Sequence, residues 1–146
     1  MSAPNNNLPE LPYDALSVGQ TFKDTVMALT PEMVRAYGKA VHNDALLTQA
    51  DMPPGTPIED PSLLVIFGIT RRVLGQDGNP PPGGILASQD YDANRLLRLG
   101  ETVRTKTSIA NKYEKRGRRY IQLRCDIEDS TGAPIGRVES HVIWAR

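Results

Sequence analysis

Residues 60–74 read Asp60-Pro61-Ser62-Leu63-Leu64-Val65-Ile66-Phe67-Gly68-Ile69-Thr70-Arg71-Arg72-Val73-Leu74. Asp60-Pro61-Ser62 is a capping sequence, and it predicts a helix over 63–74. Arg71 and Arg72 fall where positive charge suits the negative end of the helix dipole. The first part, 63–67, is apolar all round. A helix with no polar face must be covered on most sides. The rest of the chain has to supply that cover.

Downstream, a Gly/Pro-rich stretch over 75–84 leads into four strand-like segments, at 85–94, 102–112, 119–128 and 135–144. The clearest sets Ile121, Leu123, Cys125 and Ile127 against Gln122, Arg124, Asp126 and Glu128, the alternation of a strand with one buried face. Arg98-Leu99-Gly100-Glu101 separates the first pair. Lys115-Arg116-Gly117-Arg118 and Asp129-Ser130-Thr131-Gly132 read as hairpin tips. Upstream, 21–29 reads as a short strand. Thr30-Pro31-Glu32 then starts a helix with an N-cap, a first-turn proline and an acid at the positive end of the dipole. Met33, Ala36, Tyr37, Ala40 and Val41 give that helix one apolar face. Past His42-Asn43-Asp44 the chain reads as irregular, with a long loop at Met52-Pro53-Pro54-Gly55-Thr56-Pro57. Strand, helix, loop, apolar helix and antiparallel meander make an α+β domain whose curved sheet wraps the central helix. The expected organisation is a mobile arm over 1–12 and one domain over 13–146. The open edge of such a sheet invites a second copy, so a dimer is expected.

The chain has 146 residues, 39% of them hydrophobic, which suits one domain with a real core. Seventeen Lys+Arg balance seventeen Asp+Glu, so net charge gives no reason to expect nucleic acid or a membrane as partner. The single cysteine, Cys125, allows no internal disulfide and reads as a small buried hydrophobe. No signal peptide and no apolar run of bilayer length is evident, and a cytoplasmic protein is expected. His141 lies in a strand with no metal-ligand spacing around it. The Gly/Pro stretch lacks the Gly-Lys-Ser/Thr of a nucleotide phosphate loop.

The architecture is similar to the hot-dog fold, and four stretches resemble the MaoC-like hydratase/dehydratase family, especially its N-terminal-type domain. They are Arg35-Ala36-Tyr37-Gly38-Lys39-Ala40-Val41-His42-Asn43-Asp44, Pro61-Ser62-Leu63-Leu64-Val65-Ile66-Phe67-Gly68, Arg98-Leu99-Gly100-Glu101-Thr102-Val103 and Lys112-Tyr113-Glu114-Lys115-Arg116-Gly117-Arg118-Arg119. They follow in the family's order and cover nearly the whole chain. Competent members resemble one another in a "GD-x-N-P-x-H" segment, whose Asp and His activate water for addition to a 2-enoyl thioester. Aligned on Tyr37, Asn43 stands where the Asp should be and Thr48 where the His should be. Neither is a base near neutral pH. In this respect the chain resembles the dyad-free subunit of heteromeric dehydratases.

The resemblance therefore implies a subunit binding 2-enoyl- or 3-hydroxyacyl-CoA, or the carrier-protein thioester, beside a MaoC-like partner chain with an intact Asp/His pair. No cofactor or metal is implied beyond the coenzyme A of the substrate. It also implies that Leu63, Phe67 and Gly68 wall the acyl pocket, and that N–H groups at the start of the central helix polarise the thioester carbonyl. From hydrophobicity alone the same residues read as core. His42 and Asp44 are the titratable candidates for catalysis, although both are also ordinary at a helix end. Asn43 reads either as an amide for the thioester or as a helix cap. Arg116 and Arg118, with Lys112, Lys115 and Arg119, are candidates for gripping coenzyme A phosphates or an acidic carrier, or form a solvated hairpin tip. Two other readings are an autonomous homodimeric hydratase or thioesterase using His42, Asp44 or Glu59-Asp60, and a non-enzymatic acyl-CoA binding protein.

Overall fold

The computed structural model of the chain describes residues 7–145. The strands are β1 (Thr25–Ala28), β2 (Ile85–Ala93), β3 (Thr102–Lys115), β4 (Arg118–Asp129) and β5 (Pro134–Ile143). They form one antiparallel sheet in the order β1-β3-β4-β5-β2. The alternation read in the sequence holds. Val103, Ile109, Ile121, Leu123, Cys125, Ile127, Val138 and Val142 are buried, with polar neighbours on the other face. A bulge at Ala110 switches the parity of β3, so that Lys112 faces inward and Tyr113 pairs with Tyr120 on the outer face. The first hairpin tip is a two-residue turn with positive φ at both Arg116 (53°) and Gly117 (74°), the twist-compatible geometry for two antiparallel strands.

The first helix, α1 (Pro31–Ala40), starts as expected, with Thr30 Oγ1 accepting from Met33 N–H at 3.2 Å. Two expectations for the helices are corrected. A second helix, α2 (Asp44–Gln49), follows where the sequence reads as irregular, because Asn43 Oδ1 accepts from Ala45 N–H and caps it. The single helix expected over 63–74 is instead a 3-10 helix, Pro61–Gly68, and a short α3 (Thr70–Leu74). Between them Ile69 is extended, with φ −68° and ψ 122°. The break falls where the chain presses on the sheet. A Cβ at Gly68 would lie 2.6 Å from Val138 Cγ1. Arg72 Nη1 donates to the Ile66 carbonyl at 3.3 Å, satisfying an oxygen near the break.

The central segment seats Leu63, Leu64, Phe67, Val73 and Leu74 in the core against the inner face of the sheet. Leu64 packs so closely on β5 that a Cβ at Gly136 would lie 2.5 Å from its Cδ2 and would also run into the Asp92 carbonyl. The expected arm over 1–12 lies partly outside the described residues. Residues 9–11 are tied down: Asn79 N–H donates to Pro9 O, Leu11 N–H to Asn79 O, and Trp144 Nε1 to Leu11 O at 2.7 Å. Among the described residues no helix is long and apolar enough to cross a membrane.

The sheet's two edges differ. β1 has four residues, whereas β2 has nine and is exposed almost throughout. Ile85, Leu86 and Tyr91 of β2 are large hydrophobic side chains in the open. A long edge with apolar side chains is the kind that pairs with another chain.

Candidate functional site

A cavity of about 560 Å3 lies beside the central segment. Its apolar wall includes Val65, Ile66 and Ile69 from the segment and Leu86 and Val142 from the sheet. Tyr37, Thr70, Arg71 and Gln89 add the polar groups. The 3-10 helix thus has two working faces. Leu63, Phe67 and Gly68, expected to wall a pocket, are buried in the core and do not line this cavity. The wall is formed by the partly covered residues between and beyond them. Gln89 is fixed by its amide nitrogen, which donates to the buried Ser140 Oγ at 3.0 Å. Arg71 makes no ion pair with any described residue, so the cation on the cavity wall is free for an anionic ligand group.

One end of the cavity meets a chain of polar side chains. Tyr37 Oη lies 2.7 Å from Ser62 Oγ, and the Ser62 hydroxyl donates to Asp60 Oδ1 at 2.6 Å. Asp60 Oδ2 accepts from Asn43 Nδ2 at 3.2 Å. Loop, α1 and the 3-10 helix are so stitched together. Asn43 is doubly engaged, as cap of α2 and as partner of Asp60, and it does not line the cavity. Thr48 is exposed on α2. His42 takes a left-handed backbone conformation, φ 56°, between α1 and α2, and its side chain is exposed. Asp44, the first residue of α2, is exposed as well. Neither His42 nor Asp44 lines the cavity, and the fold does not bring them to it.

The start of the central helix is already occupied, against the expectation that its N–H groups face a thioester carbonyl. Pro61 has no N–H. The Ser62 N–H donates to Asp60 Oδ1 at 3.0 Å, and the Leu63 N–H to the Asp60 carbonyl at 3.1 Å. Asp60 caps this end itself, so no first-turn donor is left to polarise a ligand oxygen.

The basic cluster divides. Lys112 Nζ donates to the carbonyls of Tyr13 and Leu16 at 2.9 and 2.7 Å and sits 4.1 Å from the Tyr13 ring centroid. Arg119 lies 5.0 Å from the same ring and 3.9 Å from Asp14. Both hold the N-terminal segment to the sheet. Lys115, Arg116 and Arg118 remain exposed at the hairpin tip. Cys125 is buried, and burial pushes its thiol up to about 11, so it stays protonated at neutral pH. His141 is on the outer face, its Nδ1 2.7 Å from Tyr113 Oη. Among the described residues no group of three or more His, Cys, Asp or Glu is placed to hold a metal ion.

Sequence reasoning missed Ile69, Arg71, Leu86 and Gln89 as wall residues. Their placement depends on the break at Ile69 and on a bulge at Ala87, which turns both Leu86 and Gln89 toward the inner face. Neither leaves a signal in residue types.

No protein-family model matches the chain, and no curated protein matches it by sequence. Solved structures do match it in fold. An R-hydratase from Pseudomonas aeruginosa superposes with a TM-score of 0.64 at 17% identity, over 91% of this chain and 84% of that one. A MaoC-like dehydratase from Rhodospirillum rubrum gives 0.63 at 18% identity, over 93% and 98%. The 3R-hydroxyacyl-ACP dehydratase complex HadBC from Mycobacterium tuberculosis gives 0.58 at 12% identity, over 86% and 96%. At such identities the likeness is one of fold. The chain is a hot-dog protein, with the arrangement found in MaoC-like dehydratases and R-hydratases.

Proposed function

We propose that this chain is the acyl-binding, dyad-free half of a MaoC-like hydratase/dehydratase, completed by a second hot-dog chain that carries the Asp/His pair. The observation behind this reading is the cavity itself. Its wall is largely apolar, it is roomy enough for an acyl chain, and Leu86 and Gln89 of the β2 edge strand line it, yet among the described residues no acid/base pair does. Adding water to a conjugated thioester needs a base, an acid and a polarised carbonyl. Here Asn43 is a cap, Thr48 is exposed, and the first N–H groups of the central helix are bonded to Asp60. A chain with an acyl cavity and none of the three requirements fits as one half of a site.

The partner docks on β2, extending the sheet and covering Ile85, Leu86 and Tyr91. The HadBC neighbour, named as a 3R-hydroxyacyl-ACP dehydratase complex, makes a two-chain assembly of this fold a natural comparison. The substrate is a 2-enoyl or 3-hydroxyacyl thioester of coenzyme A or a carrier protein. Its acyl chain lies along Val65, Ile66 and Ile69, with Arg71 taking an anionic group of the carrier portion. The partner supplies the proton transfers, and the reaction uses no metal or redox cofactor.

The test is hydration of 2-enoyl-CoA esters of four, eight and twelve carbons. The purified chain is assayed alone and then mixed with a co-encoded MaoC-like chain bearing Asp-x-Asn-Pro-x-His. Activity only in the mixture is the expected result. Turnover by the chain alone would overturn the dyad-free assignment.

A further inference from the structure

The polar chain at the end of the cavity has a direction, and proton counting gives it. A carboxylate only accepts hydrogen bonds, and a serine hydroxyl has one proton. That proton goes to Asp60 Oδ1 at 2.6 Å. Ser62 Oγ therefore accepts from Tyr37, 2.7 Å away. The tyrosine proton is directed at Ser62, and the Tyr37 oxygen keeps only lone pairs for anything else. Hydroxyls in series that end on a carboxylate polarise one another, which makes that oxygen a stronger acceptor than an isolated phenol. Tyr37 is the member of this chain that lines the cavity. From the sheet side, Gln89 gives one N–H to Ser140 at 3.0 Å, which orients its amide and leaves the oxygen as an acceptor and the second N–H as a donor.

Beside the cation of Arg71, the cavity shows an acceptor at Tyr37, which suits a ligand that carries a donor as well as an anionic group. We infer that Tyr37, set as an acceptor by Ser62 and Asp60, reads a hydroxyl group on the bound acyl chain. The hydroxyacyl thioester is then held in preference to its saturated or oxo counterpart. This rests on the acyl-thioester reading above. Tyr37 is the specificity-determining residue, and Ser62 and Asp60 position its proton.

The experiment is calorimetric titration of the full chain with matched saturated, 3-hydroxy and 3-oxo acyl-CoA esters of four, eight and twelve carbons. The 3-hydroxy ester is expected to bind about tenfold more tightly than the saturated one, the size of one net hydrogen bond between neutral groups. Tyr37→Phe keeps the ring and should erase the preference while saturated esters bind as before. Ser62→Ala frees the tyrosine proton for the cavity and should shift the preference toward the 3-oxo ester. Melting curves of both variants separate loss of reading from loss of fold. Equal binding of the three esters by the unmodified chain, or a preference that survives Tyr37→Phe, overturns the inference alone. Absence of binding by every ester overturns the proposed function and this inference with it.

Discussion

Glu139 and Ser140 are neighbours in β5 and belong to surfaces of opposite kind. Glu139 faces outward and meets Gln122 at 2.6 Å and Arg124 at 3.2 Å. Around it Arg137 reaches Asp126 at 2.8 Å, and Lys106 lies 3.5 Å from Glu128. Each such pair is partly exposed and contributes little stability, but together they give the outer face its own partners. Ser140 faces inward and holds Gln89 on the cavity wall. There Arg71 has no ion pair among the described residues, and Leu86 is uncovered. A surface whose polar groups are mutually satisfied is complete in water. One that sets a free cation and fixed acceptors beside uncovered apolar side chains is shaped for something else to fill it.

The sharpest way to break this contrast is to damage the layer between the two surfaces. Phe67 is 1% exposed in the core. Phe67→Ala should cost about 3–5 kcal/mol, read as a lower denaturation midpoint in urea. A smaller loss would mean that the central segment is not the main contact of the sheet. Gly136→Ala comes next, at about 2–3 kcal/mol. Its methyl would meet Leu64 and the backbone oxygen of Asp92, which cannot swing aside. An unchanged midpoint would show that the segment sits further from β5.

The same contrast decides what was legible in the sequence. The meander was, because alternation of Ile121, Leu123, Cys125 and Ile127 is a local record of one buried face. The helix starts were too, since Thr30 and Asp60 cap by bonds to residues two or three positions on. The cavity was not. Its wall depends on a break at Ile69, beside the close approach of Gly68 to Val138 about seventy residues away, and on which β2 residues a bulge turns inward. The apolar run at 63–67 announced a covered helix but not that Leu63 and Phe67 would be core while Val65 and Ile66 line the cavity. Asn43 and Thr48 were readable as the wrong residues for acid/base chemistry. The cap by Asp60 was readable as well, and its consequence, that the Ser62 and Leu63 N–H groups are both taken, follows from the bonds it makes.

Asn43 offers a smaller test of the polar chain. Asn43→Ala removes the cap of α2 and a partner of Asp60, and should lower stability by about 1 kcal/mol. Thioester binding should stay as it was, because Asn43 does not line the cavity. Weaker binding with intact stability would place Asn43 in contact with the ligand.

The smallest effect is expected far from the cavity, in the β4–β5 hairpin. The Thr131 hydroxyl donates to Asp129 Oδ1 at 2.6 Å, and the N–H groups of Thr131 and Ala133 add bonds at 2.9 and 3.1 Å. These bonds, the Thr131 hydroxyl first, hold the carboxyl down from 3.8 to about 2. A group whose folded pKa is depressed stabilises the fold above its unfolded value, and that contribution fades as pH falls through the folded one. Asp129→Asn should therefore melt a little below the unmodified chain at neutral pH. The gap should close as pH drops from about 4 to about 2. Ester binding should not respond at any pH, since the hairpin belongs to the self-satisfied part of the molecule. A gap that persists at the acid end would mean that the turn needs the shape of Asp129 rather than its charge.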